Sequence, residues 1–134
     1  MKIKIDRQTA IKDIQHQFQK AFPFLKIEFA SRPHGFMGTV QGTHWYDANA
    51  LVSNIPGFMG EGYIDLQSWS RTGDVEDAFK TKLGLYPQIF RRLGYKWVET
   101  AGTDLLSLDE QNAIGRESLV KRSGNLWLEK EYIL

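Results

Sequence analysis

The chain has 134 residues, of which 42% are apolar and 25% are charged, and its formal net charge is +1. This composition is typical of one globular domain, and it excludes a disordered chain and a strongly basic polyanion binder. The sequence contains no Cys, which excludes disulfides, Cys-ligated zinc sites and thiol catalysis.

The first thirty residues predict a strand, a helix and a second strand. Residues 2–5 alternate polar and apolar side chains, as a short strand does. Apolar residues then recur at helical spacing, which predicts an amphipathic helix over residues 7–21 with Asp6 or Thr9 as its cap. Alternation returns at residues 25–29 and indicates a half-buried strand.

Residues 31–62 differ in composition from the sequence on either side. They hold six of the twelve Gly and two of the four Pro. We interpret them as a long Gly-rich connection with one short helical turn around residues 47–53. Loops of this length are uncommon inside compact domains and are often functional. A poorly ordered connection, or one covered by an oligomer, is the alternative.

Residues 63–100 predict a second strand-helix-strand series followed by one more strand. Residues 63–69 have the pattern of a strand, and Thr72 can cap a helix that ends at a left-handed Gly84. Residues 86–91 and 95–100 then indicate two strands joined by a tight turn at Gly94.

The last part of the sequence predicts a short third helix and a hairpin. Ser107 and Glu110 have the spacing of a capping box, so this helix should begin near Leu108. Gly115 is the expected end of the helix. Residues 120–133 contain a Ser-Gly-Asn turn sequence, and we interpret them as a terminal hairpin.

The first and second series repeat each other at an offset of 61 residues. Two strand-helix-strand units in tandem have the β-α-β-β-α-β order of ferredoxin-like folds, in which the helices pack on one face of an antiparallel sheet. We therefore expect one α+β domain over residues 1–134, with a duplicated core, an added strand, the third helix and the hairpin. A mixed α+β sheet of other connectivity is the alternative. The repeat aligns Ile3 with Ile64, Phe18 with Phe79 and Phe29 with Phe90.

The Gly-rich connection carries the weak candidates for catalysis. His34, His44 and Asp47 could gather around a substrate there, because imidazole and carboxylate groups act as general acids and bases. Their spacing matches no metal motif, and we expect no metal and no cofactor. The alternative is that these side chains hydrogen-bond locally or face water.

Basic and aromatic residues interleave in the second half of the chain. Such mixtures bind single-stranded nucleic acids, because rings stack on bases while Arg and Lys contact phosphates. Alternatively, the Trp side chains pack in the core or at a dimer contact. The residues of this set are Phe90, Arg91, Arg92, Tyr95, Lys96, Trp97, Lys121, Arg122 and Trp127.

A polar cluster surrounds the predicted start of the third helix. The free amides of a helix N-terminus attract small anions, so these residues are candidates for binding. The alternative is that they cap the helix and satisfy the turn before it. They are Thr100, Thr103, Asp104, Gln111 and Asn112.

Residues 84–112 contain the pattern Gly-Leu-x-x-Gln-x-Phe-Arg-x-x-Gly-x-x-Trp-x-x-Thr-x-x-Thr-Asp followed by Gln-Asn. This stretch resembles a family of short uncharacterised bacterial proteins, mostly from Bacteroidetes. The family also tends to begin with a helix leading into a strand like that at residues 23–29. The resemblance implies a bacterial lineage and carries no known activity.

We expect a non-enzymatic, cytoplasmic binding or assembly module that self-associates through sheet edges or Trp-bearing hairpins, most simply as a dimer. No stretch of the sequence has the length of a membrane span. A single-stranded nucleic-acid binder that uses Arg91, Arg92, Lys96, Trp97 and Trp127 is one alternative. An enzyme with a site in the Gly-rich connection is the other.

Overall fold

The computed structural model describes residues 1–31 and 44–124, with side chains through Val120. These residues form three α-helices and five β-strands. The α+β class and the strand-helix-strand order of both copies are thereby confirmed. In chain order the elements are β1 Lys2–Ile5, α1 Ile11–Ala21, β2 Leu25–Ala30, β3 Gly62–Asp65, α2 Thr72–Leu83, β4 Tyr86–Leu93, β5 Lys96–Glu99 and α3 Leu108–Gly124.

The described strands form two antiparallel sheets. Strand β1 pairs with β3 in the first sheet, and β4 lies between β2 and β5 in the second. Helix α1 packs on β2, while α2 and α3 pack on β4. Residues 44–46 extend the second sheet beyond β2, because Trp45 bridges Ala30 and the Tyr46 amide donates to the Phe29 carbonyl at 2.9 Å.

The two copies of the repeat pair with each other in both sheets. In the first sheet Ile3 lies opposite Ile64, an offset of 61. In the second sheet Ile27 lies opposite Ile89, an offset of 62. In each sheet, the residue before the central residue of one copy lies opposite the residue after the central residue of the other copy. Within each sheet the paired strands of the two copies are therefore related by an approximate local two-fold axis.

The change of offset shows that the predicted alignment of Phe29 with Phe90 is wrong by one residue. Phe29 is fully buried, whereas Phe90 is only partly buried. The register makes Arg91 the structural equivalent of Phe29. The extra residue lies between Leu83 and Pro87, a stretch that includes Gly84, which ends α2 in the predicted left-handed conformation with φ 70°. One added residue turns every following strand side chain to the opposite face of the sheet.

The core is built from matching positions of the two copies. Phe18 of α1 and its equivalent Phe79 of α2 are both 0% exposed. The ring of Phe79 meets that of Phe29 edge to face, with centroids 5.4 Å apart. Each such side chain contributes about 1.5–3 kcal/mol by leaving water. Around them pack Ile3, Ile5, Ile14, Ile27, Ile64, Leu66, Leu83 and Ile89.

Helix α1 begins at Ile11 and not at residue 7 as predicted. The two expected caps bond to each other instead, since the Asp6 amide donates to Thr9 Oγ1 at 2.9 Å. Ala10 is the cap residue, and its amide donates to the Asp13 carboxylate at 2.8 Å. A local turn of Asp6 and Thr9 therefore takes the place of the first predicted helical turn.

The described part of the long connection covers the start of α1. The amides of Ile11 and Lys12 donate to the carbonyls of Ala50 and Ala48 at 2.9 and 2.8 Å. These bonds satisfy two of the amides that a helix start leaves without intrahelical partners. The predicted helical turn in this connection is confirmed as a short 3-10 helix at Val52–Asn54.

Helix α3 does not end at Gly115 but continues to Gly124. Gly115 is instead a contact point, because a Cβ atom there would lie 2.9 Å from Phe24 Cβ. The absence of a side chain at Gly115 thus allows α3 to pack closely against the chain before β2. From the sequence alone, a glycine that allows close packing cannot be distinguished from one that ends a helix. The predicted hairpin at 120–133 is wrong for residues 120–124, and its remainder lies outside the described residues.

Of the other sequence signals of the second half, the turn at Gly94 and the capping box of α3 are confirmed. Thr72 does not cap α2: Arg71 is the cap residue, and the Thr72 hydroxyl donates to the Leu106 carbonyl at 2.8 Å. Gly94 forms the β4–β5 turn with φ 59°. Ser107 and Glu110 exchange two side-chain-to-amide bonds of 3.0 Å at the start of α3. Strand β3 ends at Asp65, four residues earlier than expected. None of the helices in the described part of the chain combines the length and apolarity needed to cross a membrane.

Candidate functional site

One side of the β2–β4–β5 sheet gathers rings and cations. Along β4, Ile89 and Arg91 are buried while Phe90 and Arg92 are partly exposed, as strand alternation requires. Register places Lys26 beside Phe90 and Trp97 beside Arg92, so all four side chains leave the same side of the sheet. Trp45 joins them through its bridge to Ala30. We call this set, Lys26, Trp45, Phe90, Arg92 and Trp97, the aromatic–cation face.

The members of the aromatic–cation face contact one another closely. Lys26 Nζ lies 5.1 Å from the centroid of the Phe90 ring and 5.4 Å from that of Trp97. The Arg92 guanidinium carbon lies 5.0 Å from the Trp97 centroid. The Trp45 and Phe90 rings meet at 5.8 Å with an interplanar angle of 64°. These distances are those of cation–π and edge-to-face contacts.

Sequence reasoning found part of this face. Phe90, Arg92 and Trp97 were in the predicted binding set, and the structure brings them together. Lys26 and Trp45 were missed, because their positions follow from pairing between distant strands. The other members of the set lie elsewhere. Arg91, predicted for the same surface, is buried on the opposite side of the sheet, and Lys96 and Tyr95 are exposed at the β4–β5 turn. Lys121 and Arg122 lie in α3 with side chains that are not described, and Trp127 lies outside the described residues.

Two of the five residues of the polar cluster at the start of α3, Gln111 and Thr100, are buried beneath the opposite side of this sheet. Gln111 is 0% exposed and donates from Nε2 to Thr103 O and Oγ1 at 2.9 and 2.8 Å. Thr100 is also 0% exposed, and its hydroxyl donates to the Ile89 carbonyl at 2.9 Å. Arg91 joins this network through a 2.7 Å bond from Nη1 to Gln111 Oε1. The cluster therefore holds α3 on β4.

The remaining two members of the cluster have separate partners. Asn112 accepts the Phe24 amide at 2.8 Å through its side-chain oxygen, which fixes the chain as it enters β2. The Asp104 carbonyl accepts the Gly73 amide at 3.0 Å. Neither residue contributes to the aromatic–cation face.

Glu76 of α2 is a buried acid that sequence reasoning missed. It is 9% exposed, and its Oε2 accepts the Ile89 amide at 2.9 Å. Burial raises the pKa of Glu76 to about 7, although the amide bond lowers it in part and the Asp104 carboxylate adds to the rise. The signal was present in the sequence, since Glu76 follows Thr72 by four residues on the buried side of the helix.

The structure does not assemble a catalytic site from the candidates it describes in the connection. His44 is exposed, and its ring meets that of Tyr46 edge to face at 5.8 Å. The Asp47 side chain accepts the Asn49 amide at 2.8 Å, which is a local turn contact. His34 lies outside the described residues. Within residues 1–31 and 44–124, no three His, Asp or Glu side chains are placed to hold a metal ion.

No family model matches the chain, and neither a curated protein nor a solved structure is similar to it. The aromatic–cation face and the buried network beneath it are therefore the features from which function is inferred.

Proposed function

We propose that the chain is a non-enzymatic binding module that self-associates, one copy packing its aromatic–cation face on that of a second copy. The observation that supports this is the gathering of three rings and two cations on the side of the sheet opposite the helices. Trp and Arg are the side chains that contribute most to binding energy in protein interfaces. Partly buried rings lose further apolar surface when a partner covers them.

The charges on this side of the sheet favour a second copy over a polyanion. Lys26 pairs with Glu28 at 3.5 Å, and Glu99 lies beside Phe90 in the register. In a two-fold interface both copies present the same surface, so cations of one copy can meet acids of the other. A nucleic acid would meet both signs, and a net charge of +1 adds little long-range attraction.

We also infer that the two copies are a duplicated ferredoxin-like unit. The β-α-β-β-α-β order supports this, as does the antiparallel pairing of β1 with β3. A ferredoxin-like core has one sheet, whereas here β2 pairs with β4 in a second sheet, so the inference rests on the chain order and the β1–β3 pairing.

The oligomeric state as a function of concentration tests self-association. Sedimentation of the full chain between about 1 and about 100 µM should show a monomer–dimer equilibrium. Trp97→Ala should weaken it at least about 30-fold, the size of effect expected for a central aromatic contact. Trp69→Ala is the matched control, because Trp69 is 72% exposed and lies outside this face. A strict monomer at every concentration would falsify the proposal.

Single-stranded nucleic acid is the second candidate ligand. The observation that favours it is the pair of cations placed over Trp97, because such groups bind phosphates while rings stack on bases. Trp fluorescence during titration with short oligonucleotides at about 50 mM salt should then be quenched, and the affinity should fall as salt rises. Absence of quenching in the wild-type chain rules this ligand out.

A further inference from the structure

Arg91 is a buried arginine whose hydrogen-bonding capacity is largely unused. It lies on the helix-covered side of β4 and is 8% exposed. A guanidinium has five N–H donors, and the described residues supply one acceptor, Gln111 Oε1, to Nη1. Arg91 Nε is buried without a partner. No carboxylate of the described residues forms an ion pair with Arg91.

The fold itself does not require an arginine at this position. The equivalent residue in the first copy is Phe29, which is fully buried in the core. A second apolar side chain would therefore suit the architecture. Arginine keeps its charge under essentially all conditions, and a buried charge without a counter-ion is strongly unfavourable.

The surroundings hold the guanidinium in one orientation. Gln111 is fixed by its two bonds to Thr103, so its Oε1 is directed at Arg91. Gly115 lets α3 approach the arginine stem, since a Cβ atom there would lie 3.3 Å from Arg91 Cγ. Gln111 occupies Nη1, which leaves the edge formed by Nε and Nη2. That edge matches the two oxygens of a carboxylate or a phosphate.

We propose that the Nε and Nη2 edge of Arg91 is a recognition site for a small oxyanion, either a carboxylate or a phosphate group, bound through two parallel hydrogen bonds. Gln111 acts as a positioning residue that presents this edge. The site lies on the opposite side of the sheet from the aromatic–cation face, and its existence is independent of self-association.

The test is a titration of the full chain with inorganic phosphate, and separately with acetate, at ionic strength held constant with sodium chloride. The Arg91 Nε–Hε resonance should shift and saturate with at least one of the two anions. A response to acetate alone assigns the site to carboxylates, and a response to phosphate alone assigns it to phosphates. A resonance that does not move with either anion overturns the proposal.

Variants give a second readout through thermal stability. Anion at ten times its dissociation constant should favour the folded state 11-fold in the wild-type chain. Arg7→Met, at an exposed arginine outside both sites, should keep this gain, whereas Arg91→Met should lose it. Equal gains in all three chains would indicate a general salt effect and reject the site. If Arg91→Met does not fold, the wild-type resonance titration decides alone.

Discussion

Single residues of this fold show how burial changes the chemistry of a side chain. Glu76 and Arg91 both lie on the polar network around Ile89, one at each end. Their residue types suggest surface positions, and sequence reasoning assigned Arg91 to a binding surface on that basis. Hydropathy reports a residue type and not its surroundings, so a charged residue on a buried face is recognised only from its position relative to apolar neighbours.

Glu76→Gln should remove a pH dependence of stability. The pKa of about 7 lies above the ordinary 4.5, so the folded chain holds this proton more tightly than the unfolded chain does. The contribution of Glu76 to the free energy of unfolding is therefore largest below about pH 4.5 and falls by about 3 kcal/mol as the pH rises to about 7. Denaturant unfolding at about pH 5 and about pH 8 should show a smaller difference for the variant.

Asp74→Asn is the matched control for this measurement, because Asp74 is an exposed carboxylate of the same helix, whereas the charges that shift the Glu76 pKa are those of Asp104, Lys80 and Asp77. It should keep the wild-type difference between the two pH values. Identical pH dependence in Glu76→Gln and in the wild-type chain would show that the buried carboxyl does not hold its proton.

Among the elements, those with a clear apolar period were predictable and those defined by distant contacts were not. Helix α2 and strand β2 begin where their patterns indicate, because alternation and helical spacing depend on neighbours in sequence. Helix α3 continues past Gly115, since the glycine serves a contact with Phe24, 91 residues away in sequence. For the same reason, Lys26 and Trp45 could not be assigned to the aromatic–cation face.

Gly115→Ala should destabilise the protein even though alanine favours helix. The added Cβ would meet Phe24 Cβ at 2.9 Å and the Phe24 carbonyl oxygen at 3.0 Å. Overpacking of this kind costs about 1–3 kcal/mol, which exceeds the gain of up to about 1 kcal/mol in helix propensity. Urea midpoints should fall for Gly115→Ala and stay near wild type for Gly102→Ala, where nothing lies within 4 Å. A rise for Gly115→Ala would contradict the packing.

At the scale of the whole molecule, the two copies form one cooperative unit. Each sheet takes a strand from both copies, and Phe18 and Phe79 share one core. Neither copy can keep its pairing or bury its rings when the other unfolds. Cooperative all-or-none unfolding is therefore expected, as for most small single domains.

Phe18→Ala and Phe79→Ala should have matching effects. Each should lower the free energy of unfolding by about 3–5 kcal/mol, because each removes an equivalent fully buried ring. Far-UV circular dichroism and Trp fluorescence should report one coincident transition for both variants. Two separate transitions, or loss of structure in one copy alone, would contradict a shared core.

The two-fold pairing of the copies means that the link between β2 and β3 acts as a tether. The strand registers need only two β-α-β segments facing each other, and the link raises the effective concentration of one segment around the other. Hydrolysis of one peptide bond in that link would turn folding into a bimolecular reaction. The melting temperature would then depend on dilution, as it does for a dimer whose subunits fold only together.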